Sequence, residues 1–503
     1  MARWFVDRSP QRGIPSVSLR RLLPDATFVG CSDLEVSGCS ADSRRLDPGQ
    51  VFVAVRGSRH DGHRYVADAV ERGAVAVIVE HPCPEAGPLQ VIVPDARLAL
   101  ARLSQALAGD PSERLRIVGV TGSTGATAAS LFLRAIFEAA GGRFGLVGPS
   151  GWSDGVEHRP GPDLPRAEDL ARMLSAMVER GCAGGIVEVP EEALARRDCE
   201  GIRFDAVLVT DLQGSPREPD EARILRRSRT ARLCRRLVPG GLAIVNADDP
   251  DAELLGAVKL DARRLSFSLA GAGDVNARID RIDADGALVT LTGLDRNVTV
   301  SLGLIGRRHV GHALAAAALA WSRGMSDEAI VAGLEAVRVV PGRLEEVAAG
   351  QDFLVRVDRA RTGLELGVAL EAVRESVSGR LICVLGGDGH QGLAHRLALA
   401  EAAEAGADQV ILTTGSPRGE DPDRILDDLL AGFARPGRIR IEADRRVAIE
   451  AALATAGAGD AVLIAGRGSQ PYQIFDTHAV PFDDRGIATR WLLGQATEQR
   501  RSA

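Results

Sequence analysis

The apolar run Ile117-Val118-Gly119-Val120 is followed by Thr121-Gly122-Ser123-Thr124-Gly125-Ala126-Thr127-Ala128-Ala129, and the pattern beyond it predicts a helix over residues 130–140. A strand, a glycine turn and a helix start in that order make a phosphate cradle. Glycines let backbone N–H groups approach an anion, and the N-terminus of a helix favours negative charge. A loop that works on a triphosphate closes with Gly-Lys-Ser/Thr, where an ammonium reaches the β- and γ-phosphates and a hydroxyl holds magnesium. Thr127 supplies the hydroxyl, but Ala126 stands at the lysine position. At an effective dielectric of 20, a unit charge pair about 4 Å apart is worth roughly 4 kcal/mol, close to a thousandfold in rate. Gly122, Gly125, Ala126 and Thr127 therefore read either as a degenerate nucleotide-binding loop or as a tight strand-to-helix turn without a ligand.

The missing lysine belongs to a wider pattern, because Lys259 is the one lysine among 61 basic residues. Against 68 acidic residues these leave a net charge of -7, and no basic stripe interrupts the mild acidity, which argues against a nucleic-acid partner. An apolar fraction of 45% excludes global disorder. Apolar runs such as Val75-Ala76-Val77-Ile78-Val79 have strand length, short of the ~20 residues of a membrane span. The first residues, Met1 to Asp7, break their apolar stretch with charge, so no signal peptide is expected and the default location is cytoplasmic. Seven cysteines are scattered and form no Cys-x-x-Cys pair, which favours buried thiols over zinc or disulfides. His309, His312, His390 and His395 invite a metal, but their spacing matches no zinc pattern.

From about residue 50 onward, apolar strand-like runs alternate with alanine- and leucine-rich stretches of helical character, the pattern of βαβ units and parallel sheets. The class is α/β. A polar stretch with proline at 109–114 and another at Pro341-Gly342-Arg343 divide the chain into three expected domains, 1–112, 113–340 and 341–503.

At the glycine loop the sequence resembles the Mur ligase family, ATP-dependent enzymes that add amino acids to UDP-N-acetylmuramoyl peptides, and within it the members that add the third residue. The resemblance covers nearly the whole chain. Asp42-Ser43-Arg44, the run Pro48 to Gly57 and Asp61-Gly62-His63 match the N-terminal domain that holds the UDP of the substrate. The resemblance thus implies UDP-sugar binding at Ser43, Arg44, Asp61, Gly62 and His63. Glu188-Val189 matches the glutamate that ligates magnesium together with Thr127, and Asn246-Ala247-Asp248-Asp249-Pro250 keeps a family turn. Gly415-Ser416-Pro417-Arg418, followed by Glu420-Asp421-Pro422, stands at the amino-acid-binding motif, which points to Arg418 and Glu420. Arg418 reads as a carboxylate grip, since a guanidinium can make two parallel bonds, or as a surface arginine. Glu188 and Asp358 read as strand-end carboxylates more readily than as ligands.

Chemistry-bearing positions depart from the family. Its Thr-Asn-Leu followed by Asp-His becomes Thr210-Asp211-Leu212-Gln213-Gly214-Ser215-Pro216, and proline cannot ligate metal. Its Thr-Thr-Pro-Asp is Pro160-Gly161-Pro162-Asp163, and its Ser-Ser-His is Pro190-Glu191-Glu192. The carbamoylated lysine falls on Thr230, which has no amine. His390, Gln391 and His395 replace Asp, Arg and Lys, and Arg467 replaces the lysine of Gly-Lys-Gly-His-Glu.

The resemblance implies a three-domain α/β fold with a central parallel sheet of phosphate-loop type and a Rossmann-like C-terminal domain. It also implies ATP and Mg²⁺ as cofactors, whereas the changes at Ala126, Pro216 and Thr230 predict that this chain has lost the usual ATP machinery. The expected role is in peptidoglycan precursor metabolism. The chain would bind a UDP-N-acetylmuramoyl-peptide or related nucleotide sugar, with other cell-wall synthesis proteins as further partners, and would act as a binding or regulatory protein. The alternative is an active ATP-dependent amide ligase with a divergent site.

Overall fold

A computed structural model of the chain describes residues 16–57, 60–84, 89–149, 151–162, 164–214, 218–251, 255 and 260–502. Asp163, Pro216, Lys259 and the first residues, Met1 to Asp7, lie outside these. The contacts gather into two compact units: Met1–Gln213 with Pro219–Asn276 and Leu314–Gly333, and Gly214–Glu218 with Ala277–Ala313 and Leu334–Ala503.

The first unit carries two sheets. One has five strands in the order Thr27–Val29, Gln90–Ile92, Ala76–Val79, Val51–Val53, Cys39–Ser40. All pairs are parallel except the first, and the helix Ala96–Leu107 covers the sheet with Ala96, Ala99, Leu100 and Leu103, an i, i+3, i+4, i+7 face. The turns bearing Ser43 and Asp61 to His63 leave the carboxyl ends of the adjacent strands Cys39–Ser40 and Val51–Val53.

The second sheet of this unit contains β1 (Arg116–Thr121), followed by helix α1 (Ala126–Ala139), then β2 (Phe144–Gly148), β3 (Gly184–Glu188), β4 (Phe204–Val209), helix α2 (Asp220–Cys234), β5 (Leu237–Asn246) and β6 (Ala262–Ser268). Its parallel strands lie in the order β2-β3-β1-β4-β5-β6. Strand β1 is therefore central. Its strands read as continuous apolar runs because both faces are buried. Helix α1 starts at Ala126, four residues ahead of the sequence expectation. Gly125 takes a left-handed conformation (φ 80°) and ends the loop there, and alanines with high helix propensity follow. Ala128, Ala129, Phe132, Leu133, Ile136 and Phe137 then face the core.

In the second unit the strands β7 (Leu354–Asp358), β8 (Leu381–Gly387), β9 (Gln409–Thr414) and β10 (Ala461–Ala465) are parallel in the order β7-β10-β8-β9. Glu345–Glu346 flanks β7 antiparallel and Arg440–Ile441 flanks β9. The carboxyl ends of the strands are the usual ligand position in such sheets.

Candidate functional site

Strand order explains which residues meet the glycine loop. β3 and β4 flank β1, with Glu188 in register with Val120 and Val209 with Thr121, so Glu188 and Thr210-Asp211 arrive at the same end as the loop. Gly122 is required by close approach, since a Cβ there would lie 1.9 Å from Thr210 Oγ1. Thr210 Oγ1 donates to Thr124 O at 2.5 Å, and Asn246 Nδ2 donates to Thr210 O at 3.1 Å. The family-type turn after β5 thereby braces the loop from behind.

Asp211 changes what this loop can hold. Its Oδ1 accepts from Ser123 N at 2.7 Å and from Thr124 N at 3.1 Å, and its Oδ2 accepts from the Thr124 hydroxyl. Two amides of the cradle are thus engaged by a carboxylate of the chain itself, where an incoming phosphate would meet like charge. Ala126, at the first turn of α1, offers no ammonium to offset it. Thr127 Oγ1 donates to Glu188 Oε2 at 2.8 Å, and Glu188 is buried beside Gly148, where a Cβ would fall 2.2 Å from Glu188 Oε1. This Thr-Glu pair keeps the oxygen donors suited to Mg²⁺.

The position of the family's carbamoylated lysine has a different filling. Thr230 is buried in α2. One turn before it and one residue before it, Arg226 Nε and Arg229 Nη1 each donate at 3.0 Å to the two oxygens of Glu191, in the segment where the family has its histidine. An arginine–glutamate clamp holds this place, and it offers neither an amine for carbamoylation nor a neutral ligand. Among the described residues there is no group of three or more His, Cys, Asp or Glu side chains that could hold a metal ion. Thr127 and Glu188 remain from the family's Mg²⁺–ATP arrangement, whereas Ala126 brings no ammonium and Thr230 no amine to it.

The UDP-sugar candidates form two small turns. Asp42 caps the turn Ser43–Arg45 and takes Arg44 Nε and Nη2 at 2.9 and 2.8 Å, leaving Arg44 largely in solvent and Ser43 buried. Asp61 Oδ1 accepts from His63 N at 3.0 Å and from His63 Nδ1 at 2.7 Å, while Glu80 N donates to His63 Nε2 at 3.0 Å. His63 also stacks on His81 at 4.3 Å. Gly62 sits against the backbone of Val55, where a Cβ would come within 2.6 Å of Val55 N. Asp61, Gly62 and His63 thus fix a turn, while Arg44 stands open to solvent.

In the second unit Arg418 is held left-handed (φ 53°) with its N–H on Ile474 O at 3.1 Å and its side chain half-buried. Glu420 accepts from Arg396 Nη2 at 2.6 Å and from His390 N at 2.5 Å, and Arg396 also pairs with Asp428 at 2.7 Å. The structure does not leave Glu420 as a free amino-acid ligand, because Arg396, almost fully buried, needs its charge. Arg467 is likewise internal: Nη1 donates to Ser416 Oγ at 3.0 Å and Nη2 to the carbonyls of Gln470, Tyr472 and Phe482.

Asp358 is a strand-end carboxylate, accepting from Leu344 N at 2.8 Å and Ala360 N at 2.6 Å. Burial pushes its pKa up to about 6, ahead of the opposing effects of Arg343 and those two amides. A carboxyl raised on folding stabilises the folded state below its ordinary value of 3.8, and that contribution is lost as pH rises through about 6. The loss amounts to about 3 kcal/mol. Unfolding free energies measured from pH 4 to 6.5 should fall more steeply for the wild-type chain than for Asp358→Asn; parallel slopes would refute the assignment.

Three features were not singled out from sequence: the engagement of the loop by Asp211, the Glu191 clamp and the burial of Arg445 with Asp484. The one available signal was the change of the family's Asn to Asp211 beside an unchanged Thr210.

The chain thus carries a strand–loop–helix turn of phosphate-cradle type in one α/β sheet and a further sheet of parallel strands in its second unit. Matches to "Mur ligase family, catalytic domain" at residues 35–108, "Mur ligase middle domain" at 120–320 and "Mur ligase, glutamate ligase domain" at 342–468 run along it. The chain belongs to the Mur ligase family and has its three-domain α/β fold. It is 33% identical over 473 residues to the UDP-N-acetylmuramoyl-L-alanyl-D-glutamate--2,6-diaminopimelate ligase of Syntrophomonas wolfei subsp. wolfei, covering 93% of this chain and 96% of that one. It is 35% identical over 483 residues to the UDP-N-acetylmuramyl-tripeptide synthetase of Roseiflexus sp., covering 91% and 94%. A solved structure of a UDP-N-acetylmuramoyl-L-alanyl-D-glutamate--2,6-diaminopimelate ligase matches with a TM-score of 0.65 at 25% identity, covering 96% of this chain and all of that one. These relatives carry the names of ligases, so the comparisons weigh toward a peptidoglycan precursor ligase more than toward a protein that only binds or regulates. Among the described residues no helix is long and apolar enough to cross a membrane.

Proposed function

We propose that this Mur ligase family protein works in peptidoglycan precursor metabolism by holding a UDP-N-acetylmuramoyl-peptide or a related nucleotide sugar, without forming an acyl-phosphate from ATP by the family's route. The observation that carries this reading is the Asp211 carboxylate on Ser123 N and Thr124 N, beside Ala126 in place of a lysine. The segment 1–112 would bind the nucleotide sugar through Arg44 and the turns of Ser43 and Asp61 to His63. Segments 113–340 and 341–503 would serve as a scaffold, with Arg418 toward a carboxylate and other cell-wall synthesis proteins as partners. The setting would be the cytoplasm.

A second reading is favoured by the ligase names of relatives 33–35% identical over more than 90% of the chain. In it the protein is an active amide ligase whose substrate carboxylate attacks the γ-phosphate, and whose incoming amine then displaces phosphate. Incubation with Mg²⁺-ATP, UDP-N-acetylmuramoyl-L-alanyl-D-glutamate and a panel of amino acids that includes 2,6-diaminopimelate separates the two. The binding reading expects no phosphate release above background, and amino-acid-dependent release establishes the ligase.

A further inference from the structure

The turn that carries Ser43 and Arg44 is held in part by a carboxylate from outside its own sheet. Ala41 leaves the strand Cys39–Ser40 and leads into the turn Ser43–Arg45, and its N–H donates to Glu168 Oε1 at 3.0 Å. Glu168 lies 127 residues away in sequence, in the first turn of the helix Ala167–Glu179, which leads into β3. Other holds on the turn are local. Ser40 Oγ accepts from Asp42 N and donates to Asp42 O, both at 3.1 Å, Asp42 Oδ1 accepts from Arg44 N at 3.1 Å, and the Ser43 hydroxyl bonds the Asp68 carboxylate.

The end of the helix that bears Glu168 is itself anchored. Ala167 is 1% exposed and packs with Leu19, Leu100 and Leu103 in the apolar core of the five-stranded sheet, and Leu170 is buried three residues on. Arg166 N donates to Asp169 Oδ2 at 3.2 Å, which closes the first turn, and Asp198 accepts from Ala167 N. Glu168 is drawn in with them. Burial raises its carboxyl above the ordinary 4.5, ahead of the opposing effect of the Ala41 N–H. Its charge also reaches the Cys39 thiol on the strand before the turn, which burial first and Glu168 second push up to about 12. A carboxylate partly removed from water accepts a backbone N–H in a charge-assisted bond, stronger than a neutral one. Asp42 follows Ala41 directly and holds the Arg44 guanidinium by two bonds, so a shift at Ala41 is passed to Arg44, whose side chain is 80% exposed.

We propose that Glu168 is a positioning residue for nucleotide-sugar binding, fixing the Asp42-Ser43-Arg44 turn through the Ala41 N–H. The inference rests on the reading that this turn faces the nucleotide sugar. It adds that the turn is not self-contained: a helix from beyond the N-terminal sheet sets where it stands. Glu168 acts through Ala41 and not on the ligand.

Two measurements on the full chain, compared with Glu168→Gln and Glu168→Leu, test this. The first is amide hydrogen exchange without ligand. Glutamine keeps an acceptor for the Ala41 N–H and leucine does not, so the amides of residues 41–45 should exchange about tenfold faster in Glu168→Leu and within about twofold of wild type in Glu168→Gln. The strand Ala76–Val79 of the same sheet should exchange alike in all three proteins. Should leucine disturb that strand, Glu168→Ala takes its place with the same expectations. The second is calorimetric titration with UDP-N-acetylmuramoyl-L-alanyl-D-glutamate, whose Kd should rise about tenfold in Glu168→Leu and stay within about twofold in Glu168→Gln. The proposal is overturned if residues 41–45 exchange alike in all three proteins, if Glu168→Leu binds the nucleotide sugar as tightly as wild type, or if glutamine weakens binding as much as leucine. A wild-type chain that gives no heat with the nucleotide sugar overturns the function proposed above instead, and the exchange pattern then still decides whether Glu168 fixes the turn.

Discussion

Replacing Ala126 with lysine and Asp211 with asparagine in the same chain is expected to tighten Mg²⁺-ATP binding at least about a hundredfold, roughly 2.7 kcal/mol. Asparagine keeps an oxygen for the amides of Ser123 and Thr124, so the loop retains its shape. It removes the charge that repels phosphate and turns an N–H toward it. Lysine at 126 enters at the first turn of α1, where an ammonium reaches the phosphates of a nucleotide lying on the helix N-terminus. The two changes should not add. Lysine alone would pair with Asp211, whose carboxylate holds Thr124 two residues before position 126, and gain little, so a double-mutant cycle should show the pair exceeding the sum of the single variants. Calorimetry on all four proteins checks this, and a double variant that binds no better than the wild type refutes the claim that Asp211 and Ala126 close the cradle. On the binding reading the double variant should not catalyse ligation, because Thr230 has no amine and the Arg226–Glu191–Arg229 clamp fills the adjoining place.

Asp484→Ala is expected to produce the largest loss of stability of any single change, about 3–5 kcal/mol. The carboxylate is completely buried, carries both bonds from the completely buried Arg445 and is the carboxylate beside Arg467. Its removal leaves two positive charges in a medium that cannot solvate them. For a unit of this size the melting temperature should fall by roughly 10 °C. Replacing the pair together, Arg445→Met with Asp484→Leu, should cost less than the single change, because no uncompensated charge remains. Thermal unfolding of the three variants decides it, and an Asp484→Ala chain within about 1 kcal/mol of the wild type would show that the pair is not what holds this end of the sheet.

The glycine loop was legible in sequence because its signal is local: an apolar strand, two glycines at fixed spacing and a helix. The start of α1 was placed late because alanine carries no cap signal, and the left-handed turn at Gly125 decides the boundary. Thr127 and Glu188 could be named from sequence because each sits at a motif whose position the resemblance supplies, and the structure places them in hydrogen-bond contact. Asp211 lies 88 residues from Ser123, and its approach depends on β4 pairing beside β1, which no local pattern reveals. Arg445, Arg467 and Asp484 escaped for a related reason. Charged side chains are exposed by default, and only the packed sheet shows that these three are inside. Glu420 read as a ligand because its motif is intact, yet Arg396 claims it.

The central claim is that the glycine loop is occupied by the chain's own carboxylate and does not take a nucleotide triphosphate. Isothermal titration of the full chain with Mg²⁺-ATP, and in parallel with UDP-N-acetylmuramoyl-L-alanyl-D-glutamate, tests it most directly. The predicted result is binding of the nucleotide sugar with no measurable heat from Mg²⁺-ATP, whereas tight, saturable Mg²⁺-ATP binding by the unaltered protein would contradict it.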